Sequence, residues 1–164
     1  MPYLPSPRLT NLGIFLAALV AMLFALWLQY YGKLDPCPLC IFQRVAMMAI
    51  GLVALLAFLH GPGRTGRRIY AGLTVLAALG GIAVAGRHVW LQHLPPEEVP
   101  SCGPGLEYWM DTFPLHEVMV KVFRGSGECA VIDWTFLGLS LPTWTLAAFV
   151  GLGAVAFWQL LRRD

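Results

Sequence analysis

Long stretches without a charge dominate the chain. They separate Arg8 from Lys33, Arg44 from Arg64 with only His60 intervening, Arg68 from Arg87, and Asp133 from Arg162. Each can supply the roughly 20 helical residues that cross a hydrocarbon core about 30 Å thick. Lipid offers no partner to a backbone amide, and none of the four stretches alternates polar with apolar residues as a barrel strand does. Four transmembrane helices are therefore expected, over about 10–31, 41–60, 69–90 and 142–161, joined outside by connections over about 32–40 and 91–141.

A different period appears inside the long connection. PLHEVMVKVFRG places Leu115, Val118, Met119, Val122 and Phe123 on one helical face, with Glu117, Lys121 and Arg124 opposite and Val120 breaking the stripe. That pattern predicts a short amphipathic helix lying in the membrane surface and tethering the loop, with packing on the bundle without lipid contact as the alternative. The third span, IYAGLTVLAALGGIAVAG, is rich in Gly and Ala. Small residues of this kind let another helix approach the backbone closely.

Composition agrees with the pattern. Of 164 residues, 58% are hydrophobic and 12% charged, too apolar for a soluble domain of this size. The net charge of +2 gives nucleic-acid binding no electrostatic support. Placement of the charges is more telling than their sum. Arg8, the arginines of GPGRTGRR, and Arg162 with Arg163 fall at the two termini and the middle connection. The positive-inside rule makes that side cytoplasmic, with both termini in, and the other side extracytoplasmic. Eight of the nine acidic residues and all four cysteines lie on the other side. The first apolar stretch is longer than a signal-peptide core and lacks a small-x-small cleavage site, so it is expected to stay as an uncleaved span. The fold class is then an all-α membrane protein: residues 1–164 form a single four-helix membrane domain, with no soluble domain expected before or after it.

Cysteines stand at 37, 40, 102 and 129. Zinc knuckles come as two close pairs, whereas the second pair here is widely spaced and backed by no further Cys-x-x-Cys or His-x-His, so no metal site is expected. An oxidising compartment favours two disulfides. Of the three connectivities, the one that uses the short spacing joins Cys37 to Cys40 and Cys102 to Cys129. A 37–40 bond closes too small a ring to stabilise the fold much, while Cys-x-x-Cys is the arrangement in which one thiol is activated and the other resolves a mixed disulfide. Pro36 and Pro38 set up a helix start that puts Cys40 in the first turn, at the positive end of the dipole, with Arg44 one turn further along the same face.

CPLCIFQR at the start of the second of four spans, a cysteine pair in the long outer loop, and GECAVIDWTFLGLSLPTW before the fourth span resemble the DsbB family of bacterial inner-membrane proteins over nearly the whole chain. The resemblance implies a four-helix bundle that reoxidises a periplasmic thioredoxin-fold dithiol oxidase of the DsbA type and passes two electrons to membrane quinone, ubiquinone or menaquinone. It further implies that Cys102 forms the mixed disulfide with the partner, that Cys129 reduces the 37–40 bond by attacking Cys37, and that Cys40 faces the quinone ring. Arg44 matches the family's quinone-site arginine, and His88, in RHVWLQH, matches a histidine near the quinone, with Arg87 an alternative polar contact. Trp134 and Trp144 fall where the family has tryptophans near that site, although an interfacial aromatic belt is the preferred account of them.

Energetics explain the need for a strong acceptor. The known potential of DsbA is about −120 mV and that of an isomerase-type pair about −180 mV, so oxidising DsbA with an ordinary pair runs about 60 mV, or roughly 2.8 kcal/mol, uphill. A vitamin K epoxide reductase-like enzyme is the nearest rival, but its Cys-x-x-Cys follows the loop pair whereas here it precedes it. A DsbB-like paralogue with a dedicated client and a non-catalytic scaffold held by two structural disulfides are the remaining alternatives.

Overall fold

The computed structural model describes residues 6–103 and 105–162; Arg163 lies outside the described residues. Its helices are α1 (Pro7–Tyr30), α2 (Pro38–His60), α3 (Arg64–Leu91), α4 (Leu106–Thr112), α5 (Leu115–Arg124) and α6 (Leu141–Leu161). A single 3-10 turn (Gly127–Ala130) and a hairpin of β1 (Thr135–Phe136) and β2 (Leu139–Ser140) sit between α5 and α6. Four helices, α1, α2, α3 and α6, are long and apolar enough to cross a membrane, so the chain is an all-α, multi-pass membrane protein.

Three of these helices begin earlier than the hydropathy pattern suggested, at residues 7, 38 and 64 instead of 10, 41 and 69. Hydropathy counts apolar residues, whereas helix initiation is governed by caps and prolines. Pro7 and Pro38 open α1 and α2, where a missing N–H costs nothing. Ser6 Oγ accepts the Leu9 N–H at 3.3 Å, and Cys37 Sγ accepts the Cys40 N–H at 3.4 Å. Gly61, at φ 56°, stops α2 in a left-handed conformation that favours glycine and turns the chain into α3 within three residues.

Adjacent spans pack in the order α1 on α2, α2 on α3, and α3 on α6. Lipid is as apolar as the helix surfaces, so close fit, not water exclusion, holds them together. The Gly and Ala positions of α3 supply that fit: Ala78 and Ala85 are buried, and the fully buried Phe149 ring of α6 occupies the space that a Cβ at Gly81 would need. Between α1 and α6 the contact is of another kind. Gln159 Nε2 donates to Asn11 Oδ1 at 3.2 Å near the chain termini, while at the cysteine end the two helices stand apart around a cavity.

A second apolar cluster roofs the cysteine end. Leu39, Val84 and Leu91 of the bundle meet Trp109 of α4, Val118 and Val122 of α5, and Cys129. The amphipathic helix is present, but its apolar side is divided. Val118 and Val122 are buried against the bundle, whereas Leu115, Met119, Val120 and Phe123 point outward. Val120 therefore belongs to the outward face instead of interrupting a single stripe. Helix α4 and the hairpin had no clear signal in the sequence. The hairpin pairs Thr135 with Ser140 and Phe136 with Leu139 through a two-residue turn in which both Leu137 and Gly138 have positive φ. That turn usually carries Asn-Gly or Asp-Gly, and a leucine in its first position conceals it.

Candidate functional site

The thiol pair is built by the start of α2. A residue before proline is confined to extended backbone, and Cys37, at φ −65° and ψ 164°, serves as the N-cap. N-cap geometry brings its sulfur back over the first turn, so the Sγ atoms of Cys37 and Cys40 lie 3.1 Å apart. None of the four cysteines is bonded to another in this structure.

His88 comes from the far end of α3 and wedges against both sulfurs. Its Nε2 is 3.8 Å from Cys37 Sγ and its Nδ1 4.0 Å from Cys40 Sγ. It is 3% exposed although it stands in the last turn of its helix. Gln43, one turn after Cys40, holds the ring through a 3.0 Å contact from its Nε2 to Nδ1. Sequence reasoning passed over Gln43, although its i+3 spacing from Cys40 puts it on the same face.

Arg44 turns the other way. Its guanidinium donates to Gln29 Oε1 and, at 3.3 Å, to the Ala25 carbonyl, both on α1. It shares with Cys40 a cavity of about 490 Å3 whose other walls come from α1, α6 and three aromatic residues, Trp134, Phe136 and Trp144. Those rings are fixed to one another: Trp134 stacks on Phe136 at 6.1 Å, and Trp144 Nε1 donates to the Phe136 carbonyl at 3.1 Å. Phe136 and Gln29 carried no signal in the sequence. Trp134 and Trp144 both line this cavity.

A second, more polar cleft of about 560 Å3 also opens at the thiols. Cys37, Cys40 and His88 line it together with Asp35, Glu128, Asp133 and Lys33. His88 thus faces this cleft and does not line the apolar cavity that holds Arg44. Arg87 reaches neither. Its Nε and Nη2 donate to the carbonyls of Phe123 and Arg124, each at 2.9 Å, and its guanidinium lies 4.1 Å over the Trp90 ring.

The loop cysteines are separated in environment. Cys129 is fully buried in the roof, against Leu39 and Cys37, while Cys102 is exposed. Cys102 Sγ packs against the Gly127 backbone, and Gly127 N–H donates to the Ser101 carbonyl at 3.4 Å. A hydrogen bond with Cys37, followed by burial, pushes the Cys129 thiol well above its ordinary range.

This arrangement of a helix-capping Cys-x-x-Cys, a docked loop cysteine and an apolar cavity lined by Cys40 coincides with a match to the family profile described as Disulfide bond formation protein DsbB, over residues 7–159. The chain belongs to the DsbB family. It is similar to disulfide bond formation protein B of Acinetobacter baumannii, 58% identical over 158 residues that cover 96% of this chain and 92% of that one. The protein of the same description from Hahella chejuensis is 52% identical over 163 residues, 99% of each chain. That from Methylococcus capsulatus is 51% identical over 156 residues, 95% of each. Membership in the DsbB family supports an oxidoreductase role in disulfide bond formation, with a thiol oxidase as its partner, in a membrane.

Proposed function

We propose that the chain reoxidises a periplasmic, thioredoxin-fold dithiol oxidase of the DsbA type and delivers the electrons to membrane quinone, ubiquinone or menaquinone. The cysteine end faces the periplasm and both termini the cytoplasm of a bacterial inner membrane, in keeping with the basic residues at the other end.

The observation that carries this reading is the position of Cys40, which lines both cavities while Cys129 is docked on its neighbour Cys37. In the oxidised protein, a partner thiolate attacks Cys102 and expels Cys129 as a thiolate. The partner's second thiol then attacks the mixed disulfide, leaving the partner oxidised and Cys102 as a thiolate. Cys129 attacks Cys37 and expels Cys40. Cys102 next attacks Cys129, restoring the loop disulfide and leaving Cys37 and Cys40 as the reduced pair. Each exchange breaks one S–S bond and forms another, so two electrons move from the partner to the Cys37–Cys40 pair.

The apolar cavity suits a quinone ring. Its volume lies in the range of small-molecule sites, its walls are aromatic and aliphatic, and Arg44 with the Cys40 thiol supplies the polar contacts. Bound quinone accepts two electrons and two protons. Arg44, held by α1, keeps a fixed positive charge in the cavity that Cys40 lines, which favours negative charge arising there. Purified protein mixed with reduced DsbA and quinone tests the reading: catalysed thiol oxidation that is absent in Cys40→Ser supports it. Oxidation that proceeds equally without quinone refutes it.

A further inference from the structure

Two thiols and an imidazole from separate helices meet over the polar cleft, which is unusual in a chain whose cysteine spacing argued against a metal. The Sγ atoms of Cys37 and Cys40 and one ring nitrogen of His88 lie within 4.8 Å of one another. Tetrahedral zinc, with Zn–S near about 2.3 Å and Zn–N about 2.0–2.1 Å, sets its ligand atoms about 3.5–3.8 Å apart. Nε2 lies 3.8 Å from Cys37 Sγ and Nδ1 4.0 Å from Cys40 Sγ, so whichever nitrogen ligates already stands within a few tenths of an ångström of that geometry toward one of the sulfurs. The 3.1 Å sulfur pair must widen, which rotation of the Cys37 side chain, a half-buried N-cap, allows, and the imidazole must turn to bring one nitrogen to both sulfurs.

The surroundings favour a cation. Asp35, Glu128 and Asp133 line the cleft that leads to the sulfurs, against the single positive charge of Lys33. Gln43 provides the outer support that zinc-binding histidines usually have. Its amide touches His88 Nδ1, and turning that amide over presents Oε1 to an Nδ1–H, which leaves Nε2 free to ligate.

We propose that the dithiol form of this site binds one thiophilic divalent cation, zinc by charge and softness, through Cys37 Sγ, Cys40 Sγ and one nitrogen of His88. Water from the cleft takes the fourth position. Binding releases the two thiol protons into the cleft, and the charge of the ion is balanced by the two thiolates, which suits a site with little solvent. Closing the 37–40 disulfide removes both thiolate ligands. The ion therefore holds the pair reduced and acts as a brake on its reoxidation.

Cobalt titration tests this without quinone or partner, so its failure leaves the proposed function standing. The protein carries Cys102→Ser and Cys129→Ser, leaving only the Cys37 and Cys40 thiols, and is reduced with a phosphine. Expected is a near-ultraviolet thiolate-to-cobalt band that saturates at one Co2+ per chain, is displaced by Zn2+, and vanishes after oxidation with diamide. His88→Ala weakens binding at least about ten-fold, and Gln43→Leu, which keeps all three ligands, about ten-fold or more. Absence of the band, its persistence in the oxidised protein, or an affinity unchanged by both substitutions overturns the proposal.

Discussion

The two cysteine pairs are held by opposite means. Cys37 and Cys40 are fixed by the start of a membrane helix, where a proline, an N-cap and a packed bundle leave little freedom. Cys102 and Cys129 hang on a loop whose grip on the bundle consists of a few apolar side chains, one arginine and the buried Cys129 itself. A relay needs this inequality. The fixed pair keeps its relation to the cavity from one turnover to the next, and the loop pair has to meet a partner at Cys102 and then present Cys129 to Cys37.

The largest expected effect comes from breaking the fixed pair. Cys40→Ser reduces quinone-coupled oxidation of the partner to the uncatalysed background, while Cys102 still forms a mixed disulfide that can be trapped on a non-reducing gel. If partner and Cys102 fail to join in that variant, the two pairs are not separable and the contrast between them is wrong. Next is Arg44→Ala, which removes a charged donor anchored to α1. Loss of such a contact costs about 1.5–3 kcal/mol, a roughly 10- to 100-fold fall in kcat/KM for quinone, with partner capture at Cys102 unchanged.

The fixed half of this comparison was largely legible in the sequence. Uncharged runs marked all four spans, and Pro36, Pro38 and the Cys-x-x-Cys marked the cap, because helix starts and hydropathy are local properties. The position of Arg44 on the face of Cys40 followed from helical periodicity, and both residues do line one cavity. What could not be read was the meeting of distant segments. Nothing near His88 announces that a histidine some fifty residues downstream lands between the two sulfurs. Nor does anything near Val118 and Val122 say that they turn toward Leu39 and Leu91 while their neighbours turn outward.

Rigidity of the bundle can itself be tested. A methyl group at Gly81 collides with the Phe149 ring, which is fully buried and has no room to withdraw. Overpacking of this kind costs about 1–3 kcal/mol. Gly81→Ala is expected to lower the Tm of the detergent-solubilised protein by several degrees, and Gly72→Ala, where a Cβ meets nothing within 4 Å, leaves it unchanged. Equal Tm values for the two would mean that α3 and α6 are not tightly fitted.

Docking of the loop has a pH dependence whose sign follows from Cys129. Contact with Cys37 and burial raise its thiol above the ordinary range, so an undocked Cys129 loses its proton first. Docking of the dithiol form is fully stable below about pH 8.5, the ordinary thiol value, and weakens as pH rises above it. The loss approaches ten-fold in the docking equilibrium per pH unit, about 1.4 kcal/mol. In reduced Cys102→Ser protein, alkylation of Cys129 should therefore rise above pH 8.5 more steeply than that of a model thiol; a parallel rise would contradict the docked, protonated thiol.

The smallest effect should come from Arg87. Its guanidinium accounts for two carbonyls at the end of α5, just before the chain turns at Gly125 toward Cys129. A positive charge at a helix C-terminus also favours the helix dipole. Arg87 is partly exposed, so solvent screens much of this, and Arg87→Gln should cost about 1 kcal/mol, a roughly five-fold rise in the undocked population. Hydrogen exchange reads this directly: amides of α5 lose protection by about that factor while those of α2 and α3 keep theirs. Protection lost equally in α5 and α2 would show that the loop and the bundle open as one unit, and the division between a fixed and a mobile cysteine pair would have to be abandoned.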